Sequence, residues 1–134
     1  MHKLRHLLWT VLLALVIPLT LAGCGGDSSD DGGGSSNAKF VGTWAMIPNG
    51  GGGAMYFIFK DDGSWLESNN AAGTARRCYG NYTADGDSLD GSMVNPGTGD
   101  GEITATLAGT VLSLDFIEHW HTPYKHNLYT GSKI

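Results

Sequence analysis

The chain has 134 residues, with 8 Lys and Arg against 13 Asp and Glu for a formal net charge of −5, and 21 glycines. Nucleic acid is excluded as a natural partner, because counterion release needs clustered cations and only Arg76-Arg77 stand adjacent. The acidic balance instead favours solubility near an anionic membrane surface.

In chain order, the first segment is an export signal: His2, Lys3, Arg5 and His6 form a short basic region, Leu7 to Thr20 an apolar run, and Leu21-Ala22-Gly23 a small-residue stretch before Cys24. The apolar run falls short of the ~20 residues of a comfortable membrane span, so cleavage is favoured over retention as a helix. Leu21-Ala22-Gly23-Cys24 is similar to the lipobox of bacterial lipoproteins. That resemblance implies removal of residues 1–23 and acylation of the Cys24 sulfur, which makes the membrane a partner through a lipid anchor. Gly25 after that cysteine, where an aspartate favours inner-membrane retention, implies an outer-membrane lipoprotein with its domain in the periplasm or at the cell surface.

Residues 24–38 continue as GGDSSDDGGGSSN and its flanks, without apolar side chains able to repay the entropy of ordering. They read as a flexible tether spanning on the order of 20 Å. A thioether at Cys24 leaves Cys78 without a disulfide partner, and the strand-like alternation around Cys78 predicts a buried free thiol.

Residues 39–134 are of single-domain size, and their signals are short period-2 runs punctuated by Gly, Asp and Asn. The expected strands are Phe40 to Ile47, Met55 to Lys60, Ser64 to Ser68, Arg77 to Ala84, Ser88 to Val94, Glu102 to Leu107, Val111 to Trp120, and a last one near Asn127 to Lys133. Asp61-Asp62-Gly63, Asp85-Gly86-Asp87 and Gly109-Thr110 supply the hairpin turns, since Gly, Asp and Asn tolerate turn conformations. Tight hairpins pair sequence neighbours, and closure removes aggregation-prone edges. The predicted fold is all-β, a small eight-stranded up-and-down antiparallel barrel; a flattened sandwich is the alternative. Alternation assigns to the interior Phe40, Gly42, Trp44 and Met46; Met55, Phe57 and Phe59; Cys78, Gly80 and Tyr82; Leu89 and Met93; Ile103, Ala105 and Leu107; and Leu112, Leu114 and Phe116.

Gly42-Thr43-Trp44 in the first strand resembles the Gly-x-Trp of lipocalins, and the phrases Tyr56 to Gly63 and Gly80 to Leu89 are similar to the repeated hairpins of bacterial lipocalin-like domains. The resemblance covers the whole domain. It implies that Trp44 plugs one barrel end with a basic residue of the last strand, Lys133, packed across its ring. It also implies a binding scaffold rather than any one chemistry.

Trp44, Phe57, Phe59, Tyr82, Phe116 and Trp120 are the aromatic side chains expected to line a site for a small apolar or amphipathic ligand in the barrel mouth, or simply to fill the barrel. A module binding another envelope protein through its outer surface is the competing expectation. Glu118-His119-Trp120-His121 gathers polar chemistry: on a strand His119 and His121 share a face about 7 Å apart, a spacing that chelates Zn²⁺ or Cu²⁺ once His126 or Asp115 folds over. Ser113, Asp115 and His119 also share a face but lack a nucleophile elbow or oxyanion loop, so no enzymatic activity and no cofactor are expected.

Overall fold

The computed structural model describes residues 36–134; the expected signal peptide, Cys24 and most of the tether lie outside them. A single 3-10 turn over Ser36–Lys39 leads into eight strands: β1 (Gly42–Pro48), β2 (Met55–Phe59), β3 (Ser64–Ser68), β4 (Arg76–Asp85), β5 (Ser88–Asn95), β6 (Gly99–Ala108), β7 (Val111–Glu118) and β8 (Lys125–Lys133). The last residues of the expected tether, 36–38, thus belong to that turn. Each strand pairs antiparallel with its sequence neighbour, and β8 returns to β1, closing the barrel. This is an all-β up-and-down barrel, compatible with a lipocalin-like fold. Among the described residues no helix is long and apolar enough to cross a membrane.

Most strand bounds differ from expectation by one to three residues: the first strand begins at Gly42 rather than Phe40 and the last at Lys125 rather than near Asn127. The sixth starts at Gly99 instead of Glu102, because Val94 and Asn95 pair with Asp100 and Gly99. The seventh ends at Glu118, and residues 119–124 form the loop to β8.

The barrel has two unlike ends. At one, the 3-10 turn closes over the interior: Phe40 is fully buried, and Trp44 Nε1 donates to the Phe40 carbonyl at 2.7 Å. The side chain of Asn37 accepts from the Ala84 amide at 2.9 Å, pinning the turn to β4. Lys133 Nζ stands 5.2 Å from the centroid of the Trp44 ring, the contact that the lipocalin-like resemblance implies. The opposite end carries the longer loops 49–54, 69–75 and 119–124.

Inward residues follow the alternation. Trp44, Met46, Phe57, Phe59, Cys78, Tyr82, Leu89, Met93, Ile103, Leu112, Leu114 and Phe116 are all buried. Sharp coiling of the narrow barrel brings neighbouring backbones very close. A Cβ at Gly131 would stand 2.0 Å from the Ala45 carbonyl oxygen, and one at Gly80 would stand 1.8 Å from that of Ser92. Only glycine fits at these two places.

Candidate functional site

Four of the aromatic side chains expected to line a ligand site meet in pairs inside the barrel, Phe57 with Phe116 and Phe59 with Tyr82. Phe57 stacks on Trp65 at 6.0 Å between ring centroids and meets Phe116 edge-on at 6.3 Å and Tyr129 at 5.3 Å. Lower in the barrel Phe59 meets Tyr82 edge-on at 5.1 Å. These are the offset and edge-to-face separations that aromatic quadrupoles prefer. Phe57 is 0% and Trp44 2% exposed, and Phe59, Tyr82 and Phe116 are buried with them. Polar handles are satisfied on the wall: Trp65 Nε1 donates to the Ser92 carbonyl at 2.9 Å and the Tyr82 hydroxyl to that of Lys60 at 2.8 Å. Of the six expected lining residues only Trp120 reaches the mouth, half-buried against the core, with its ring over Gly99.

Trp65, Glu67 and Tyr129 also belong to this interior, although alternation alone did not assign them there. The β3 sequence SWLES puts Trp65 and Glu67 on one face and Leu66 on the other, so a charged side chain points inward. Nothing in hydropathy distinguishes that from a solvated edge strand.

Glu67 forms the floor of a polar layer at the open end. It is 3% exposed and is the cross-strand neighbour of Cys78. Its nearest cation, the Arg77 guanidinium, is 3.8 Å away, beyond hydrogen-bond reach. Burial raises the Glu67 carboxyl above its ordinary range, with Glu118 adding to the effect and Arg77 opposing it. Burial and then the neighbouring Glu67 push the Cys78 thiol up to about 12, so this free, buried sulfur is a neutral filler. Tyr129 is raised for the same reasons, burial first and Glu67 second. Above them Glu118 accepts from Asn127 at 2.9 Å and pairs with His121 at 2.9 Å.

The three-histidine metal site is not assembled. Because β7 stops at Glu118, the alternation that would align His119 with His121 ends before either residue. Each histidine goes to a different carboxylate: His121 to Glu118, His126 to Asp115 at 2.7 Å, and His119 to Glu102 at 3.8 Å while stacked on Tyr124. Among the described residues no group of three or more His, Cys, Asp or Glu side chains converges as a metal site would require. Asp115 likewise engages His126 rather than His119, so the carboxylate of the Ser113, Asp115 and His119 set does not orient that histidine.

The outer wall is uneven. On β8 and β1, Leu128 and Ile47 are 51% and 55% exposed. Beside them, Asn49, Thr104, Thr106, Ser113, Asp115 and Thr130 line a shallow groove of about 280 Å³. Searches for similarity returned no matching family model, no matching curated protein and no matching solved structure.

Proposed function

We propose that this chain is an interaction module of a bacterial cell envelope, tethered through an acylated Cys24 and engaging another envelope protein with its outer wall. The observation that carries this reading is the filled interior: Phe57 and Phe116 are in ring contact with each other and each with Trp65 and Tyr129, where a carrier would hold its guest. A guest of useful affinity needs a concave apolar site of roughly 300 Å³ or more. Opening one here would break aromatic pairs worth about 0.5–1.5 kcal/mol each, besides their buried area. The apolar side chains at Leu128 and Ile47 face outward instead, next to a polar groove, which is the mixture that interfaces use.

Three measurements test the reading. Photo-crosslinking residues placed at Ile47 and Leu128 in cells are expected to yield a discrete protein adduct. Tryptophan fluorescence of the full chain in non-ionic detergent is expected to stay unchanged on addition of fatty acids or retinoid-like probes. A saturable micromolar response that Trp120→Phe removes would overturn the module in favour of a carrier. Cys24→Ser is expected to release the chain from membranes, and persistent membrane association would refute the lipid tether.

A further inference from the structure

Asn49 is followed by Gly50, the one Asn-Gly pair in the sequence, at the head of the glycine run 50–53 between β1 and β2. This dipeptide carries a latent reaction. The backbone nitrogen after an asparagine can attack the side-chain carbonyl carbon, and a glycine there puts no side chain in the way and permits the backbone rotation that the approach requires. The other asparagines of the described residues precede Ala, Asn, Tyr, Pro or Leu, which lack that freedom.

The surroundings of Asn49 favour the reaction. Its backbone amide donates to the Leu128 carbonyl at 2.8 Å, and its Oδ1 accepts from Thr130 Oγ1 at 2.9 Å, so residue and side chain are both held. Attack turns that Oδ1 into an oxyanion, which the Thr130 hydroxyl already addresses. The Gly50 amide has no backbone acceptor among the described residues, and a Cβ at Gly50 would meet nothing within 4 Å, so the nucleophile is neither engaged nor hindered. The attacking amide must lose its proton, and His126 lines the same surface groove of about 350 Å³ as Asn49 and Gly50. Asp115 Oδ2 accepts from His126 Nδ1 at 2.7 Å, which keeps the proton of the neutral ring on Nδ1 and leaves Nε2 as the basic nitrogen.

From this juxtaposition we propose that Asn49 and Gly50 form a self-modification site, at which Asn49 becomes aspartate or isoaspartate with Thr130 as oxyanion donor and His126 as base. The Gly50 nitrogen bonds to Asn49 Cγ while its proton passes to His126 Nε2, directly or through a water. The bond from Cγ to the side-chain nitrogen then breaks, and ammonia leaves with that proton, giving a cyclic imide. Water adds to either imide carbonyl and reopens the ring, to aspartate in one direction and to isoaspartate in the other. Both products place a carboxylate beside Thr130, and isoaspartate also lengthens the backbone where β1 leaves its pairing with β8. The wall that carries Ile47 and Leu128 therefore changes with the age of the molecule. Nothing in this chemistry depends on what that wall binds or on the Cys24 anchor.

The test incubates the full chain, folded in non-ionic detergent at neutral pH, and maps peptides by mass spectrometry with separation of the Asn, Asp and isoaspartate forms. Asn49 is expected to convert with first-order kinetics while Asn69, Asn81, Asn95 and Asn127 stay intact. Thr130→Val and His126→Gln, both at exposed positions, should keep the near-ultraviolet dichroism of wild type and slow the conversion by about threefold or more. Thr130→Ser, which keeps the hydroxyl, is expected to react like wild type. Free imidazole should restore the rate in His126→Gln, which a merely structural role of the ring would not allow. An Asn49 that stays intact in the folded chain yet converts in denaturant would overturn the proposal. So would a wild-type rate in either Thr130→Val or His126→Gln.

Discussion

Lys133 lies across the indole of Trp44, with Nζ 5.2 Å from the ring centroid, while the same ammonium donates to the Lys39 carbonyl at 3.0 Å. One side chain of the last strand thus ties together the first strand and the turn that precedes it. Lys133→Met keeps the stem and removes the charge, so a loss of about 0.5–1 kcal/mol is expected from this partly solvated contact. Trp44→Phe is the larger change. It deletes the donor to the buried Phe40 carbonyl and about half of a fully buried ring system, for roughly 2–4 kcal/mol by denaturant unfolding. If the two variants proved equal, closure of this end would not depend on the indole.

Glu67 should make stability depend on pH in a definite direction. Its carboxyl is raised in the folded state, so the folded chain holds that proton more tightly than the unfolded one. The group therefore favours folding below the unfolded value of about 4.3, and this advantage is lost as pH rises through the folded value. Glu67→Gln is expected to be more stable than wild type at pH 7, with the difference closing toward pH 4. A Gln variant less stable than wild type at pH 7 would mean that the Arg77 pair outweighs burial.

The Cys78 thiol should be unreactive for two separate reasons. It is buried, and its acidity is suppressed to about 12, so the attacking thiolate is scarce at pH 8. In a Cys24→Ser background, a disulfide reagent is expected to modify Cys78 at least a hundredfold more slowly in buffer than in denaturant. Comparable rates would place the sulfur at the surface.

Gly131→Ala puts a methyl group where only 2.0 Å separates it from the Ala45 carbonyl oxygen. Since that contact involves the backbone of β1, no side-chain rotation relieves it. The expected result is loss of β1–β8 pairing, read as collapse of near-ultraviolet dichroism, whereas Gly50→Ala, in open space and without a left-handed backbone, should cost far less. Full tolerance of Gly131→Ala would argue against so tight a barrel.

The filled interior makes its own prediction. Phe57→Ala should cost about 3–5 kcal/mol, because its ring contacts Trp65, Phe116 and Tyr129 and its neighbours can only partly collapse. If enough stability remains, that variant should bind small apolar molecules that wild type rejects. Wild type binding them equally well would show that the space already exists.

The sequence was most readable where a strand is apolar on one side only. Phe57 and Phe59 alternate with exposed or half-buried neighbours, as do Leu112, Leu114 and Phe116, and the turn residues between such runs mark the hairpins. It was least readable where polarity and direction disagree. Glu67 points inward because Trp65 does, two residues away on the same pleat, and no local pattern records that its partner across β4 is Cys78. Leu128 is the converse, an aliphatic residue facing solvent because Tyr129 takes the interior. The histidines were misassembled for a simpler reason: a two-residue repeat continues on paper past Glu118, but the strand does not. Their carboxylate partners come from register and loop path, which a single sequence does not carry.

Closure by β1 against β8 also fixes an order of events. Seven strands can zip in sequence as the chain emerges, each against its predecessor, but the seam joins Trp44 to Lys133 and Pro48 to Tyr129 across nearly the whole domain. Until residues 125–133 arrive, β1 and β7 both present unpaired backbone, the state most open to pairing with a neighbouring molecule. The final nine-residue strand therefore acts as the latch of the assembly. A chain interrupted after Tyr124 should accumulate as aggregate or be degraded rather than persist as a shortened barrel.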